Sequence, residues 1–480
     1  MVHSASDGIP GVSHRLSDRL AALPLRYILL AAFVIRLLFA LFVFIHGNSY
    51  SVFYNSDSAE YAEMAQNWLE KGSDLALGGQ PRQPNVYRPP GYPLLLLARL
   101  ALGHLEFATV GIQIVLSCLT VYLVMAIARF AGAAEPAARL AGVLYAIEPQ
   151  AILYCPVLLT ETLFATLLAL FVYCFLRYVR FPSLPWLAMA AGTLAAAPYV
   201  RPVGLFLVPV MGIAVYWASR RRRLLDVRSL AHALAFLAIC AGLIGLWAWR
   251  NKRLAGYSGF SSTVEINLYR VHAASVLAQV NGVAFVKMGE TAANERSAYY
   301  EAHPEMRESD DLPRMRREAL AVLRAHPGTF LLLYLRGIPW TLFAPNVTLY
   351  CTFFPPPGLS AGVLTAALYD KDVFGAVKLI SRYAPVAIWI GVPATLVLLM
   401  YYALATGGLI FGPGLDRRSK ILLVAVCAVL VGVAGGTIAS GRFRHPIMPM
   451  VSVFAAEGLA LILNPRSGIR LAYAAGIHRG

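Results

Sequence analysis

An all-α polytopic membrane protein is the fold class this sequence predicts, and three observations predict it. Hydrophobic residues make up 58% of the 480 and charged residues only 14%, far less charge than a soluble surface carries. Apolar runs long enough to cross a bilayer recur along the chain. Basic residues gather at the ends of those runs, as in Arg220-Arg221-Arg222-Arg223, where positive-inside topology and anionic headgroups favour them. The net charge of +16 therefore belongs to the membrane boundary. Nucleic-acid binding, which needs a basic face on a soluble domain, is not expected. Cys118, Cys155, Cys174, Cys240, Cys351 and Cys427 lie mostly within apolar runs. Their spacing offers neither a metal site nor a disulfide framework.

Taken in order, residues 1–26 are polar and read as a cytoplasmic tail, with no cleavage site after the first apolar run. Tyr27 to His46 is the first span, oriented by Arg15, Arg19 and Arg26. The loop 47–93 is then external, meaning periplasmic or otherwise extracytoplasmic. Within it Asp57 is placed as the N-cap of a helix running to about Lys71, and Glu60 three residues on completes a capping-box-like pair. Tyr61, Met64, Ala65 and Trp68 recur at helical spacing, so this helix is expected to lie along the membrane interface. Arg88-Pro89-Pro90-Gly91-Tyr92-Pro93 makes a rigid entry to the next apolar run, the prolines removing backbone freedom and Gly91 permitting a sharp turn.

Tyr92 to His104 is short for a span. Phe107 to Ala128, Leu140 to Tyr154, Val157 to Phe175, Leu184 to Ala197, Val203 to Ala218 and Leu230 to Trp249 complete an N-terminal transmembrane module over 27–249. Residues 250–327 form a second external loop. In it Glu290 to Arg324 reads as surface helix, with Asp310, Asp311, Arg314, Arg316 and Arg317 solvated. A C-terminal module over 328–464 holds Gly328 to Pro345 with its Arg336, a loop from Tyr350 to Asp372 containing Pro355-Pro356-Pro357, then Tyr383 to Thr406, Ile421 to Ser440 and Ile447 to Leu463. A basic tail, 465–480, ends inside. The total is roughly ten to twelve spans, without the internal repeat of many secondary transporters.

By this topology Glu161, Arg201 and Arg250 fall on the same side as Asp57. From position alone Asp57 is an ordinary helix cap; its place just beyond the first span, at the head of a helix carrying Tyr61, makes it the candidate catalytic carboxylate. The stiff turn that fixes Arg88 is either a membrane entry or a mount for a guanidinium facing a phosphate. A carboxylate such as Glu161 at a span's end is paired or lines a cavity. Arg201-Pro202 and Ser440-Gly441-Arg442-Phe443-Arg444-His445-Pro446 are further basic corners at span ends. Singly they snorkel; together they suit a lipid phosphate. Trp247-Ala248-Trp249-Arg250-Asn251 equally fits an aromatic belt with a basic flank. His445 offers a base or a metal ligand, roles a lone histidine seldom fills.

The chain resembles the polyprenol-phosphate-sugar-dependent membrane glycosyltransferases of the GT-C fold, which include lipid A aminoarabinose transferases and protein O-mannosyltransferases. The likeness is carried in order by Asp57-Ser58-Ala59-Glu60-Tyr61, Arg88-Pro89-Pro90-Gly91-Tyr92-Pro93, Thr160-Glu161-Thr162-Leu163-Phe164, Arg201-Pro202, Trp249-Arg250-Asn251 and Arg442-Phe443-Arg444-His445-Pro446. Glu290 to Asp372 falls outside it. The resemblance implies a sugar donor on a polyprenyl phosphate, used at the external face of the inner (plasma) membrane of a cell envelope, with an unidentified glycan, lipid or protein acceptor. It makes Asp57 the position of the essential aspartate. A carboxylate accepts the acceptor's proton and cations stabilise the departing phosphate. Arg88, Arg201 and Arg442 are the candidates for the second role, with Tyr61 and Glu161 beside them in the substrate site. Some relatives use a divalent cation; this chain has no metal cluster, and no metal is assigned. A flippase of polyprenyl-linked sugars would bury charge mid-span, where here Arg36 and Arg336 are the exceptions. A surface-polysaccharide polymerase or ligase would set its arginines in a large late loop.

Overall fold

A computed structural model describes residues 23–47, 49–55, 57–72, 84–98, 102–219, 226–283, 288, 308–354, 377–378, 381–382, 385–437 and 439–463. The expectations for residues 1–22, the arginine run at 220–223, the stretch 290–307, the proline-rich 355–372 and the tail 465–480 lie outside them. Among the described residues the regular structure is helical throughout, as the composition predicts. Seven helices there are long and apolar enough to cross a membrane: Leu25–Gly47, Leu105–Phe130, Glu161–Arg180, Pro202–Ser219, Val227–Ala255, Ile388–Phe411 and Gly441–Leu463. Leu184–Val200 is apolar but shorter, 17 residues.

Burial sorts these helices into centre and rim. The apolar windows of Gly441–Leu463, Glu161–Arg180 and Leu105–Phe130 are 72%, 67% and 61% buried, against 17% for Ile388–Phe411 and 22% for Val227–Ala255. The central three thus meet protein and the outer two present side chains to lipid, while all satisfy their backbone internally. Glu161–Arg180 packs against Leu105–Phe130 and Leu184–Val200, and Met448–Leu463 packs against Pro385–Phe411 and Glu135–Ala146. Where Pro385–Phe411 meets Met448–Leu463, a Cβ at Gly408 would collide with the Phe454 carbonyl and one at Gly458 with the Leu404 carbonyl. Small residues are what let membrane helices approach so closely.

The expected span Leu140 to Tyr154 is not one helix. Glu135–Ala146 ends and Pro149–Leu153 begins anew, with the Glu148 carboxylate accepting the Ala151 N–H at 2.6 Å as its cap. Pro149 explains the break, since it lacks an N–H and pushes the preceding residue out of the helical region. The carbonyls this exposes are taken by the mid-span charge. Arg36, fully buried, donates to Ala146 O at 2.9 Å, Tyr145 O at 3.4 Å and Ser117 Oγ at 2.7 Å. It closes a helix end inside the protein.

Three other expectations change. Tyr92 to His104 opens in the six-residue helix Gly91–Leu96, and residues 99–101 lie outside the described ones. Gly91 serves there for close approach, because a Cβ would sit 2.6 Å from the Tyr199 carbonyl. The helix Glu308–Ala325 forms as read, yet Asp311 is buried and salt-bridged to Arg314 at 2.6 Å, while Leu312 and Met315 pack with Ile266 beside Tyr87. The start of the supposed loop at Tyr350 belongs to a helix, Val347–Phe353.

Candidate active site

Asp57 stands at the N-cap position of Ser58–Lys71, which stops as read at Gly72 in the left-handed region (φ 63°). The capping box, however, is absent: Asp57 makes no side-chain cap bond. Its Oδ1 accepts from Arg88 Nη2 at 3.0 Å and its Oδ2 from Arg442 Nη1 at 2.6 Å. Glu60 likewise turns away, and its Oε2 accepts from Arg88 Nε at 2.7 Å. Charge-assisted bonds to guanidinium are about twice as strong as neutral ones, so the arginines win both carboxylates from the helix end.

Arg88 lies between two rings, 4.6 Å from the Tyr87 centroid and 5.1 Å from that of Tyr61, a cation–π arrangement. Asn85 Oδ1 accepts both the Tyr87 and Arg88 N–H groups, at 2.8 and 3.2 Å. The carbonyls of this segment are held from far along the chain. Ser262 N donates to Val86 O at 2.9 Å, Ser261 Oγ and Thr263 Oγ1 donate to Tyr87 O at 2.6 and 3.0 Å, and Arg250 Nη1 donates to Asn85 O at 3.0 Å. Arg250 is thus a brace for the Arg88 segment.

Glu161 opens the helix Glu161–Arg180 and is fully buried. Its Oε1 accepts from Arg201 Nη1 at 2.6 Å and from Arg442 Nε. Arg201 ends Leu184–Val200 and sits over the rings of Phe443 and Phe164, 5.4 and 5.8 Å away. Arg442 is presented by the turn Gly441–Ile447, capped by Ser440 and pinned by Gln150 Nε2 donating to Gly441 O at 3.0 Å. Through its two ends Arg442 ties Asp57 to Glu161.

The structure therefore brings together all six residues singled out from the sequence, Asp57, Tyr61, Arg88, Glu161, Arg201 and Arg442. Five of them, Asp57, Tyr61, Arg88, Arg201 and Arg442, are on the wall of a cavity of about 920 Å³. Glu161 is not part of that wall; it stands behind and holds two arginines, so any effect it has on a ligand passes through them. Much of the remaining wall is apolar, with Val203, Phe206, Leu268, Trp340, Leu430 and Val433, interrupted by polar residues such as Asn267, His272 and Asn346. His445 is buried against Tyr154 rather than facing the cavity.

Electrostatics follow from this packing. Burial would raise the Asp57 carboxyl, but Arg442 and Arg88 outweigh it and hold it at about 2. Burial would lower Arg88, yet Tyr61, Tyr87, Asp57 and Glu60 raise it above its ordinary value. Burial raises Tyr61, keeping a neutral phenol beside the guanidinium. Among the described residues no group of three or more His, Cys, Asp or Glu side chains is placed to hold a metal.

Sequence reasoning missed Glu60 as the second carboxylate on Arg88 and the hydroxyls of Ser261 and Thr263 as supports for it. It also missed Gln113, whose Oε1 accepts from Tyr92 at 3.0 Å while its Nε2 donates to Cys155 O and Val157 O, both at 2.8 Å, just ahead of Thr160-Glu161. A buried glutamine in an apolar helix was the one available signal. His272, which lines the cavity and bonds Thr437 Oγ1 through Nδ1 at 2.9 Å, gave none.

Residues 87–249 match the family model described as dolichyl-phosphate-mannose-protein mannosyltransferase. The resemblance to GT-C membrane glycosyltransferases read from the sequence is borne out by that match. Compared by sequence with curated proteins, the chain finds no match. Among solved structures it is similar to the Saccharomyces cerevisiae protein O-mannosyltransferase Pmt1–Pmt2 complex bound to the sugar donor, at 19% identity over 45% of this chain and 33% of that one, TM-score 0.34. It is similar to the Archaeoglobus fulgidus oligosaccharyltransferase tethered with an acceptor peptide, at 13% identity over 93% and 51%, TM-score 0.46. It is also similar to ArnT from Cupriavidus metallidurans bound to undecaprenyl phosphate, at 14% identity over 93% and 80%, TM-score 0.37. The chain spans 33% of the yeast chain and 51% of the archaeal one.

Proposed function

We propose that this chain is a glycosyltransferase that moves a sugar from a polyprenyl-phosphate donor to a glycan, lipid or protein acceptor at the external face of the plasma membrane. The observation that carries the reading is Asp57, a quarter exposed on the wall of the cavity, between Arg88 and Arg442 and with Arg201 on the same wall. The description of the family matched over 87–249 supports a donor of the polyprenyl-phosphate class. The three guanidiniums suit a phosphate leaving group, for which they supply fixed positive charge where negative charge develops. The apolar wall suits a prenyl chain.

In the reaction the acceptor's O–H or N–H proton passes to the Asp57 carboxylate. The acceptor atom bonds the anomeric carbon, and the bond from that carbon to the phosphate oxygen breaks with its electron pair on the oxygen. Asp57→Asn is expected to abolish transfer while the protein still reaches the membrane. Normal transfer by the purified variant would remove Asp57 from the chemistry. Profiling lipid-linked sugars in a deletion strain identifies the donor, since the unused one accumulates.

A further inference from the structure

Among the described residues the carboxylates and guanidiniums of the site pair with one another. Asp57 is bound by Arg88 at 3.0 Å and Arg442 at 2.6 Å, Glu60 by Arg88 at 2.7 Å, and Glu161 by Arg201 at 2.6 Å and by Arg442. Three carboxylates face three guanidiniums, a sum of zero. The Arg88 and Arg442 side chains are only 13% and 19% exposed, and both line the cavity. An anion arriving there meets guanidiniums already bonded to Asp57, and to Glu60 and Glu161 on their other sides.

We propose, resting on the function given above, that the donor phosphate and Asp57 compete for the same two guanidiniums, so that the site is locked by its own carboxylate until donor binding frees the base. A carboxylate gripped by two arginines is a poor proton acceptor, and these two hold Asp57 at about 2 against the pull of burial. Turning Arg88 or Arg442 toward a phosphate removes the lowering influence and leaves the raising one. The other charged or titratable neighbours are Glu60 and Tyr61 on its own helix, Arg201, and the like-charged Glu161 behind Arg442. After transfer Asp57 carries the acceptor's proton and no longer competes. The product phosphate keeps the arginines until that proton leaves, so product release is tied to deprotonation.

The test is binding of undecaprenyl phosphate to the full-length protein in nanodiscs, for the wild type and Asp57→Asn. Competition predicts that Asp57→Asn binds about tenfold more tightly, which is about 1.4 kcal/mol, although it transfers no sugar. Equal or weaker binding by the variant overturns the lock and leaves the proposed function standing. Failure of the wild type to bind at all overturns both. If Asp57→Asn does not fold, calorimetry of the wild type with a polyprenyl phosphodiester at pH 5, in buffers of different ionisation enthalpy, decides the matter. The phosphodiester has no proton of its own to give there, so net proton uptake on binding supports the lock and its absence overturns it.

Discussion

Replacing Glu161 by glutamine tests whether this carboxylate is the anchor of two arginines. Its side chain is 0% exposed and accepts from Arg201 and Arg442, and as the first residue of Glu161–Arg180 it also sits where a helix favours negative charge. Removing one partner of a buried ion pair costs about 3–5 kcal/mol, because the other charge stays buried without compensation. The amide oxygen still accepts one hydrogen bond, recovering about 1 kcal/mol. The net loss expected for Glu161→Gln is therefore about 2–4 kcal/mol. Thermal unfolding of the detergent-purified protein reads it, followed by labelling of the buried thiols of Cys155 and Cys174. The double variant Glu161→Gln with Arg201→Met removes one of the stranded cations and should be more stable than the sum of the two single losses. A wild-type melting temperature for Glu161→Gln, or simple additivity in the double variant, would refute the anchoring argument.

Ser261→Ala combined with Thr263→Val removes both hydroxyls from Tyr87 O, each bond being worth about 1 kcal/mol. Affinity for undecaprenyl phosphate should fall several-fold with turnover at saturation little changed; an unchanged affinity would mean Arg88 keeps its place without them. Arg36→Met takes the Arg36 donor from the Ala146 carbonyl inside the protein, at about 1–3 kcal/mol, while the Tyr145 carbonyl keeps the Glu148 N–H at 3.3 Å. A sharp drop in folded yield is expected, and size-exclusion profiles at wild-type yield would count against the clamp. Acid provides the last test. The folded Asp57 carboxyl lies at about 2 against an ordinary 3.8, so its contribution of about 2 kcal/mol is complete above about pH 5 and is lost as pH falls through 3.8 toward 2. Melting temperatures measured from pH 6 to pH 3 should decline less for Asp57→Asn than for the wild type.

Much of the site was legible because topology does the gathering. Asp57, Glu161, Arg201 and Arg442 are far apart in sequence, yet each sits at the end of an apolar run, and alternating the runs across a bilayer puts those ends on one face. What failed was local inference where a tertiary partner outbid it. Asp57 and Glu60 have the spacing of a capping box, but no local rule anticipates two guanidiniums arriving from residues 88 and 442. The break at Glu148-Pro149 was written in the chain and hidden by the length of the apolar run around it. Asp311 sits in a charge-dense segment that looks wholly solvated, and only the packing of Leu312 and Met315 onto Ile266 shows which face turns inward. The hydroxyls of Ser261 and Thr263 act on backbone carbonyls, a kind of contact that leaves no periodicity to read.

Two carboxylates share Arg442, and their surroundings separate their roles. Glu161 is sealed behind the arginines with no path to the cavity, so no acceptor atom can reach it; its charge serves to hold Arg201 and Arg442 in place. Asp57 meets the same arginine from the other side, with a quarter of its side chain open to the cavity. Proton transfer needs contact within hydrogen-bond reach, and only Asp57 permits that. Were the two exchanged in burial, the base would be Glu161 and the motif at the first loop would be scaffold. The proposed assignment of the chemistry to Asp57 thus rests less on its sequence neighbourhood than on its being held by two arginines on the cavity wall, where Glu60, held by Arg88 and 38% exposed, is not part of that wall.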